Sequence, residues 1–315
     1  MKKYDVVILG GGCAGLSLAY HLEKYDHLTK KTAVIVEPRK HYKRDKTWSF
    51  WKTMPHFFED CVRKEWSQFS INNRQNSTVF DCRLFPYQTI DSGLFYKKIR
   101  ERLANNSNIE WRTSQEGVDL SESLVFDSRP YVKATGNEWW QHFKGIEIET
   151  DTPQFNDREV ILMDFNCDQR KSVHFFYVLP FSPTQALIET TWFSTLDPQY
   201  QDYDHQLKEY ISHALKIKSY TLLFHEQGAI PLFYTSPSDT TSKIAIGTRG
   251  GMTRISSGYT FLNIQRHSHY LASNFDQLTM DQAPYSIEGK YHWMDTLFLK
   301  VLKRNASKVP FIFDS

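Results

Sequence analysis

The apolar positions near the start of the chain run together and do not alternate. YDVVIL (4–9) is almost unbroken in its apolar character, and TAVIVEP (32–38) repeats the pattern. Each predicts a strand buried on both faces, as in a parallel sheet. Between them GGGCAG (10–15) interrupts the run, and LSLAYHLEKY (16–25) sets apolar residues at helical spacing. The segment therefore predicts a strand, a tight turn, a helix and a second parallel strand.

From residue 53 to about 83 this pattern stops. SQFSINNRQNSTVFDCRLF (67–85) alternates around an Asn-rich turn and predicts a hairpin. SGLFYKKIRERLA (92–104) predicts an amphipathic helix begun by its Ser-Gly pair. NIEWRT (108–113), SLVFDS (123–128) and PYVKATG (130–136) read as short strands. Residues 138–230 return to strand patterns in REVILMDF, KSVHFFYVLPF and QALIETTWFS, the last two joined by a turn at FSPTQ. KIAIG (243–247) is another buried strand, followed by a glycine-rich stretch and a helix from about Phe261 to Phe275.

The glycines of the first unit are Gly10, Gly12 and Gly15, a G-x-G-x-x-G set, and Glu37 follows at the end of the second strand. Such glycines permit the turn, the approach of a pyrophosphate and close helix packing; the acid suits a ribose hydroxyl. The helix N-terminus favours phosphate charge. A Thr-Gly strand end and a late GTRGG, with Gly247, Gly250 and Gly251, follow the layout of glutathione-reductase-type flavoproteins. By this fold analogy FAD is favoured over NAD. The expected fold class is α/β: a Rossmann-type FAD-binding domain interrupted by a β-rich substrate domain. Residues 1–52, 84–137 and 221–280 are assigned to the first, 53–83 and 138–220 to the second, and 281–315 to a C-terminal helical segment.

Composition narrows the class. At 315 residues the chain suits one large or two intertwined domains. The net charge of +2 and the lack of a long basic stripe argue against nucleic acid as a partner. Cys13, Cys61, Cys82 and Cys167 have no CxxC spacing, and no secretory signal precedes the first strand, so reduced thiols and a cytoplasmic setting are expected. No metal-ligand set is read. No run of 18 apolar residues occurs, which leaves peripheral attachment as the mode of membrane contact.

One carboxylate stands out. In QALIETTWFS (185–194), Glu189 sits between an apolar half and an aromatic end. Burying its charge is costly without compensation. It reads as a solvated strand residue, an ion-pair partner, or an acid kept protonated for chemistry. Alternation puts it on one face with Leu187 and Phe193.

Separated stretches then carry a resemblance: DKTWSFW (45–51), VFDSRP (125–130), WWQHFKGIEIET (139–150), LMDF (162–165), FFYVLPFSPTQALIETTWFS (175–194), EQGAIPL (226–232) and GTRGGMTRISSGYTF (247–261). In these the chain resembles the lycopene cyclases of carotenoid biosynthesis, in particular the bacterial β-cyclases. Two departures stand beside the likeness. Arg254 and Ile255 replace a common His-Pro pair, and the sequence ends at FIFDS (311–315), where members of that family continue with more helix.

The resemblance implies closure of each linear ψ-end of lycopene to a β-ionone ring, an isomerisation with no net redox change. It implies Glu189 as the acid, reduced FAD as the main cation stabiliser and NADPH as its reductant. Trp48, Phe50, Trp192 and Phe193 are candidate pocket residues, each also suited to plain core packing. Arg44 is a candidate flavin contact, with Asp45, Asp164 and Arg249 as weaker ones; His174 reads as a packed strand histidine. A C40 hydrocarbon would be drawn from a bilayer. The 291–304 helix, with Trp293, Met294, Leu297, Phe298, Val301 and Leu302 on one expected face, suits either lipid docking or a core contact. The alternatives are an FAD-dependent oxidoreductase, a hydroxylase or isoprenoid reductase, acting on an apolar substrate, and a non-catalytic flavin- or carotenoid-binding protein.

Overall fold

The computed structural model describes residues 1–130, 135–234, 243–279 and 287–312. The 130–136 strand expectation falls largely outside these residues, as does the start of the 281–315 segment.

Val6–Leu9 and Ala33–Val36 are fully buried along their length. They lie side by side in a five-stranded sheet, in the order Ile244–Ala245, Leu124–Asp127, Val6–Leu9, Ala33–Val36, Ile109–Arg112. Every neighbouring pair is parallel. Burial on both faces explains the unbroken apolar runs. The crossover helix Cys13–Lys24 covers one face with Leu16, Leu18 and Leu22. Phe261–Ser273 packs beside it, and Gln265 Nε2 donates to Ser17 Oγ at 2.9 Å in their shared interior. This is the Rossmann-type α/β arrangement expected.

A second sheet has seven strands, in the order Thr221–Pro231, Trp140–Glu149, Gln185–Ser194, Val173–Pro180, Glu159–Asp164, Gln68–Asn72, Ser77–Asp81. Neighbours are antiparallel except Glu159–Asp164 against Gln68–Asn72. The expected 67–85 hairpin is its far edge. Thr221–Pro231, grouped from sequence with the nucleotide-binding part, is the opposite edge strand, paired along its length with Trp140–Glu149. A third sheet joins Thr47–Trp51, Tyr87–Asp91 and Val62–Trp66. The sheets therefore do not divide the chain at residues 52, 84 and 221.

Two local readings change. The helix Ser92–Leu103 is capped by Asp91, whose Oδ1 accepts from the Gly93 and Leu94 amides at 2.7 and 3.2 Å. A carboxylate there satisfies two donors that the Ser-Gly pair would have left open. The helix Gly289–Arg304 does not turn its apolar residues one way. Leu299 and Leu302 are buried and Phe298 packs with them, whereas Trp293, Met294, Leu297 and Val301 are exposed. The first residue of the pair that replaces His-Pro has a structural role: Arg254 Nε and Nη2 donate to buried Asp295 at 2.8 and 2.5 Å, tying that helix to the glycine-rich loop.

Candidate active site

The first centre is the cradle at the carboxyl ends of the parallel strands. Gly10 has φ +98°, which an L side chain rarely adopts. A Cβ on Gly15 would overlap the Gly10 carbonyl oxygen, so glycine lets the helix start against the turn. Nothing lies within 4 Å of a Cβ built on Gly12, and no side chain caps the helix there. The open first turn leaves backbone N–H groups facing free space. Glu37 Oε2 accepts from the Gly11 amide at 2.7 Å, holding its carboxylate at the rim. Gly247 stands against the same helix, where its Cβ would come 2.7 Å from Ala14 Cβ; Gly250 and Gly251 continue that loop. The structure thus brings together Gly10, Gly12, Gly15, Glu37, Gly247, Gly250 and Gly251, from both ends of the chain. A dinucleotide with a pyrophosphate and a ribose diol fits this donor set.

Arg44 is not part of that cradle. Its Nη1 pairs with Glu147 Oε2 at 2.7 Å and its Nε with Asp91 Oδ2 at 3.3 Å, with the guanidinium 3.9 Å from the Phe224 ring centroid. It joins the Asp91 cap to the seven-stranded sheet. Asp45 pairs with Arg39 at 2.7 Å, and Arg249 stands 3.8 Å from Asp127. Asp164 accepts from the Tyr210 hydroxyl at 2.7 Å beneath the sheet, a structural contact.

The second centre lies on one face of the seven-stranded sheet. Register places Gly145 opposite Glu189 on one side and opposite Glu226 on the other. Residues in register share a face, so two carboxyl groups flank a position with no side chain. A Cβ on Gly145 would lie 3.4 Å from Glu226 Cγ and 3.5 Å from Glu189 Cβ. Glu189 is partly buried, and Thr191 Oγ1 donates to its Oε1 at 2.7 Å. Burial, then the nearby Glu226, push its pKa up to about 8. Burial likewise lifts Glu226 to about 7, against the pull of its Thr47 contact. The Thr47 amide donates to Glu226 Oε2 at 2.7 Å; among the described residues its buried Oε1 has no hydrogen-bond partner.

Aromatic residues continue this face. Tyr177 is in register with Glu189, and Phe193 lies further along the same side, 5.5 Å from Phe175 between ring centroids. Tyr259 and Tyr87 hydroxyls are 3.5 Å apart, and Trp51 stands 4.9 Å from the Tyr87 ring. Burial holds the Tyr87 and Tyr177 hydroxyls well above the usual tyrosine range, so they stay neutral.

Three pocket expectations need correction. Trp192 is three residues from Glu189 and therefore points to the other face of the strand. There it stacks on His174 at 3.9 Å and donates from Nε1 to Gln206 Oε1 at 3.0 Å. Trp48 and Phe50 point away from the carboxyl pair, into the nucleotide-side core, where Phe50 stacks on Phe261 at 4.8 Å. Trp51, one residue on, faces the other way. Glu226, Gly145, Tyr177, Tyr87 and Tyr259 were not singled out from sequence. The available signal was the strand EQGAIPL, whose carboxylate also breaks an apolar pattern.

A family model described as "Lycopene cyclase protein" matches residues 5–308. Neoxanthin synthase of Solanum tuberosum is 24% identical over 299 residues, covering 82% of this chain and 57% of that protein. Lycopene beta-cyclase of Pantoea ananas is 24% identical over 281 residues, covering 82% and 71%. The chain thus spans little more than half the length of the plant relative. A probable FAD-dependent monooxygenase from Pseudomonas aeruginosa superposes with a TM-score of 0.63 at 11% identity, covering 100% of both chains, which is a likeness of fold.

Proposed function

Since this chain belongs to the lycopene cyclase family, we propose that it closes the linear ψ-ends of lycopene into β-ionone rings, with Glu189 as the proton donor. The observation that carries this reading is the place of Glu189, partly buried on an aromatic face between Gly145 and Tyr177, where burial raises its carboxyl to about 8. Near neutrality it holds its proton, as an acid catalyst must. Glu189 gives that proton to the terminal alkene. The cation adds to a neighbouring double bond to form the ring, and a ring proton is lost, so the oxidation level is unchanged. Neutral Tyr177, Tyr87 and Tyr259, with Trp51 and Phe193, offer π faces to a carbocation.

FAD is the proposed cofactor, held by Gly10, Gly12, Gly15, Glu37 and the Gly247–Gly251 loop; in reduced form, supplied by NADPH, it would contribute negative charge beside the cation. The N-terminal turn of Cys13–Lys24 would hold its pyrophosphate, and Glu37 a ribose hydroxyl.

Among the described residues no helix is long and apolar enough to cross a membrane. We place the protein at the membrane surface through the exposed Trp293, Met294, Leu297 and Val301, with Lys300 and Arg304 at their border.

The test is expression in lycopene-accumulating cells with pigment analysis. Cyclised product is expected, lost in Glu189→Gln with FAD still bound. Unchanged lycopene beside folded, FAD-loaded protein would refute the reading. Stoichiometric NADPH consumption per product would indicate an oxidoreductase instead.

A further inference from the structure

Glu189 has a counterpart that the proposed reaction does not use. Glu226 stands on the second strand over, in register with the one position of Trp140–Glu149 that lacks a side chain between them. Adjacent strands lie about 4.8 Å apart, so Glu189 and Glu226 start from backbones roughly 10 Å apart and approach over Gly145. Leu187 Cδ1 would stand 3.2 Å from a Cβ at Gly145, so the gap has an apolar wall. One oxygen of Glu226 is fixed by the Thr47 amide; the other is buried and, among the described residues, unpartnered. A buried acceptor without a donor is costly. A proton shared with a second carboxyl removes that cost.

We propose that Glu226 is a positioning residue that acts through Glu189: the two carboxyls hold one proton between them, and this keeps Glu189 loaded as the acid. The inference rests on the cyclase reading for its consequence in catalysis. It stands on register, the gap at Gly145 and the open oxygen of Glu226 for its geometry. Two like charges in one poorly solvated place cannot both ionise readily. The paired aspartates of aspartic proteases are the general case.

Other charged and titratable groups face the pair from each packed element. Lys46, whose Nζ donates to the Gln227 carbonyl at 2.5 Å, favours ionisation of both acids. Arg44 acts on Glu226 in the same sense, though its own pairs are with Glu147 and Asp91. Tyr177, Tyr87 and Tyr259 are neutral and add no charge. The carboxyl pair therefore sits between a cation at its rim and an uncharged aromatic floor.

The test uses the FAD-loaded full chain and three variants: Glu226→Gln, Glu226→Asp and Lys46→Met. Two readouts are followed against pH: cyclisation rate, and the infrared band of protonated carboxyl groups, assigned by its loss in Glu189→Gln. In Glu226→Gln the neighbouring negative charge is gone, so Glu189 should lose its proton about one pH unit lower. Both the alkaline limb of the rate and the band should move by that amount. Glu226→Asp should restore most of the shift, and Lys46→Met should move both curves upward. A fold defect would not move two variants in opposite directions. Curves that keep their wild-type midpoints in both Glu226→Gln and Lys46→Met would overturn the pairing. If the band shifts as stated while wild-type protein forms no ring, the pairing holds and the cyclase reading fails.

Discussion

Glu189 and Glu226 are both in register with Gly145, one on each side of the strand Trp140–Glu149. Neither has an arginine partner among the described residues, whereas Glu147, two positions along from Gly145 on that face, is bracketed by Arg44 at 2.7 Å and Arg63 at 2.6 Å. Three acids, Glu147 and Glu226 buried and Glu189 partly so, thus sit close together with opposite fates. The paired one is held below the usual carboxylate range, by its arginines against burial, and the other two are held above it. The contrast separates an ion pair that joins parts of the structure from a pair that retains protons.

Stability should fall as pH rises from about 4.5 to about 8. An unfolded glutamate ionises near 4.5, while folded Glu189 keeps its proton until about 8. Between those values the folded state binds more protons, so unfolding becomes easier with increasing pH. Glu226, raised to about 7, adds to the trend. In Glu189→Gln the decline should be shallower, with roughly 1–3 kcal/mol gained relative to wild type between about pH 5 and pH 8. Denaturant melts at the two pH values measure this; parallel changes in both proteins would contradict it.

Gly145→Val should abolish the work of the carboxyl pair while leaving the nucleotide cradle intact. Its β-carbon would already stand 3.2 Å from Leu187 Cδ1 and 3.4 Å from Glu226 Cγ, and the added methyls have to enter the space between the acids. Overpacking of this kind costs about 1–3 kcal/mol. Cyclised product should drop at least about tenfold, the scale of a 1.4 kcal/mol change in a barrier. FAD content, read from the flavin absorbance of the purified protein, should stay at the wild-type level.

Gly15→Ala should do the reverse. The methyl group would collide with the Gly10 carbonyl oxygen, and backbone on both sides has to move. The helix start and the turn would separate, and with them the donors aimed at the cofactor. Loss of bound flavin on gel filtration, with a lower Tm, is the expected outcome. Full flavin retention would show that the cradle is not where the nucleotide sits.

Arg254→Met should destabilise the attachment of the last long helix. Asp295 is buried, and besides Arg254 it accepts from Ser256 Oγ at 2.8 Å. Removing the guanidinium leaves a buried carboxylate short of its partner, which costs about 3–5 kcal/mol for a fully buried pair and less here, where Arg254 is part-exposed. Adding Asp295→Leu should recover much of the loss, because no charge is then left alone. A double variant as unstable as the single one would point to the hydroxyl network instead. Thermal melts of the three proteins decide it.

Much of this architecture was legible in the residue order. Runs without alternation could only be strands covered on both faces, and the glycines between them answer local backbone and contact demands that exist before any long-range contact forms. Glu189 was conspicuous for the same reason: a lone carboxylate in an apolar strand is costly wherever the strand lies. Strand parity also puts Phe193 with Glu189 and Trp192 opposite, so these adjacent aromatics do not line one face. What alternation cannot give is which face meets which neighbour. Trp48 and Phe50 were placed by the helix they pack on, and Arg44 by the distant Glu147. Glu226 was decided last of all. It lies 37 residues beyond Glu189, and only the pairing of both strands on Trp140–Glu149 brings the acids to one glycine. Local chemistry determined the elements and the cost of each buried charge. The tertiary register determined which charges meet, because hydrogen-bonded pairing sets the partners of a strand across any distance in sequence.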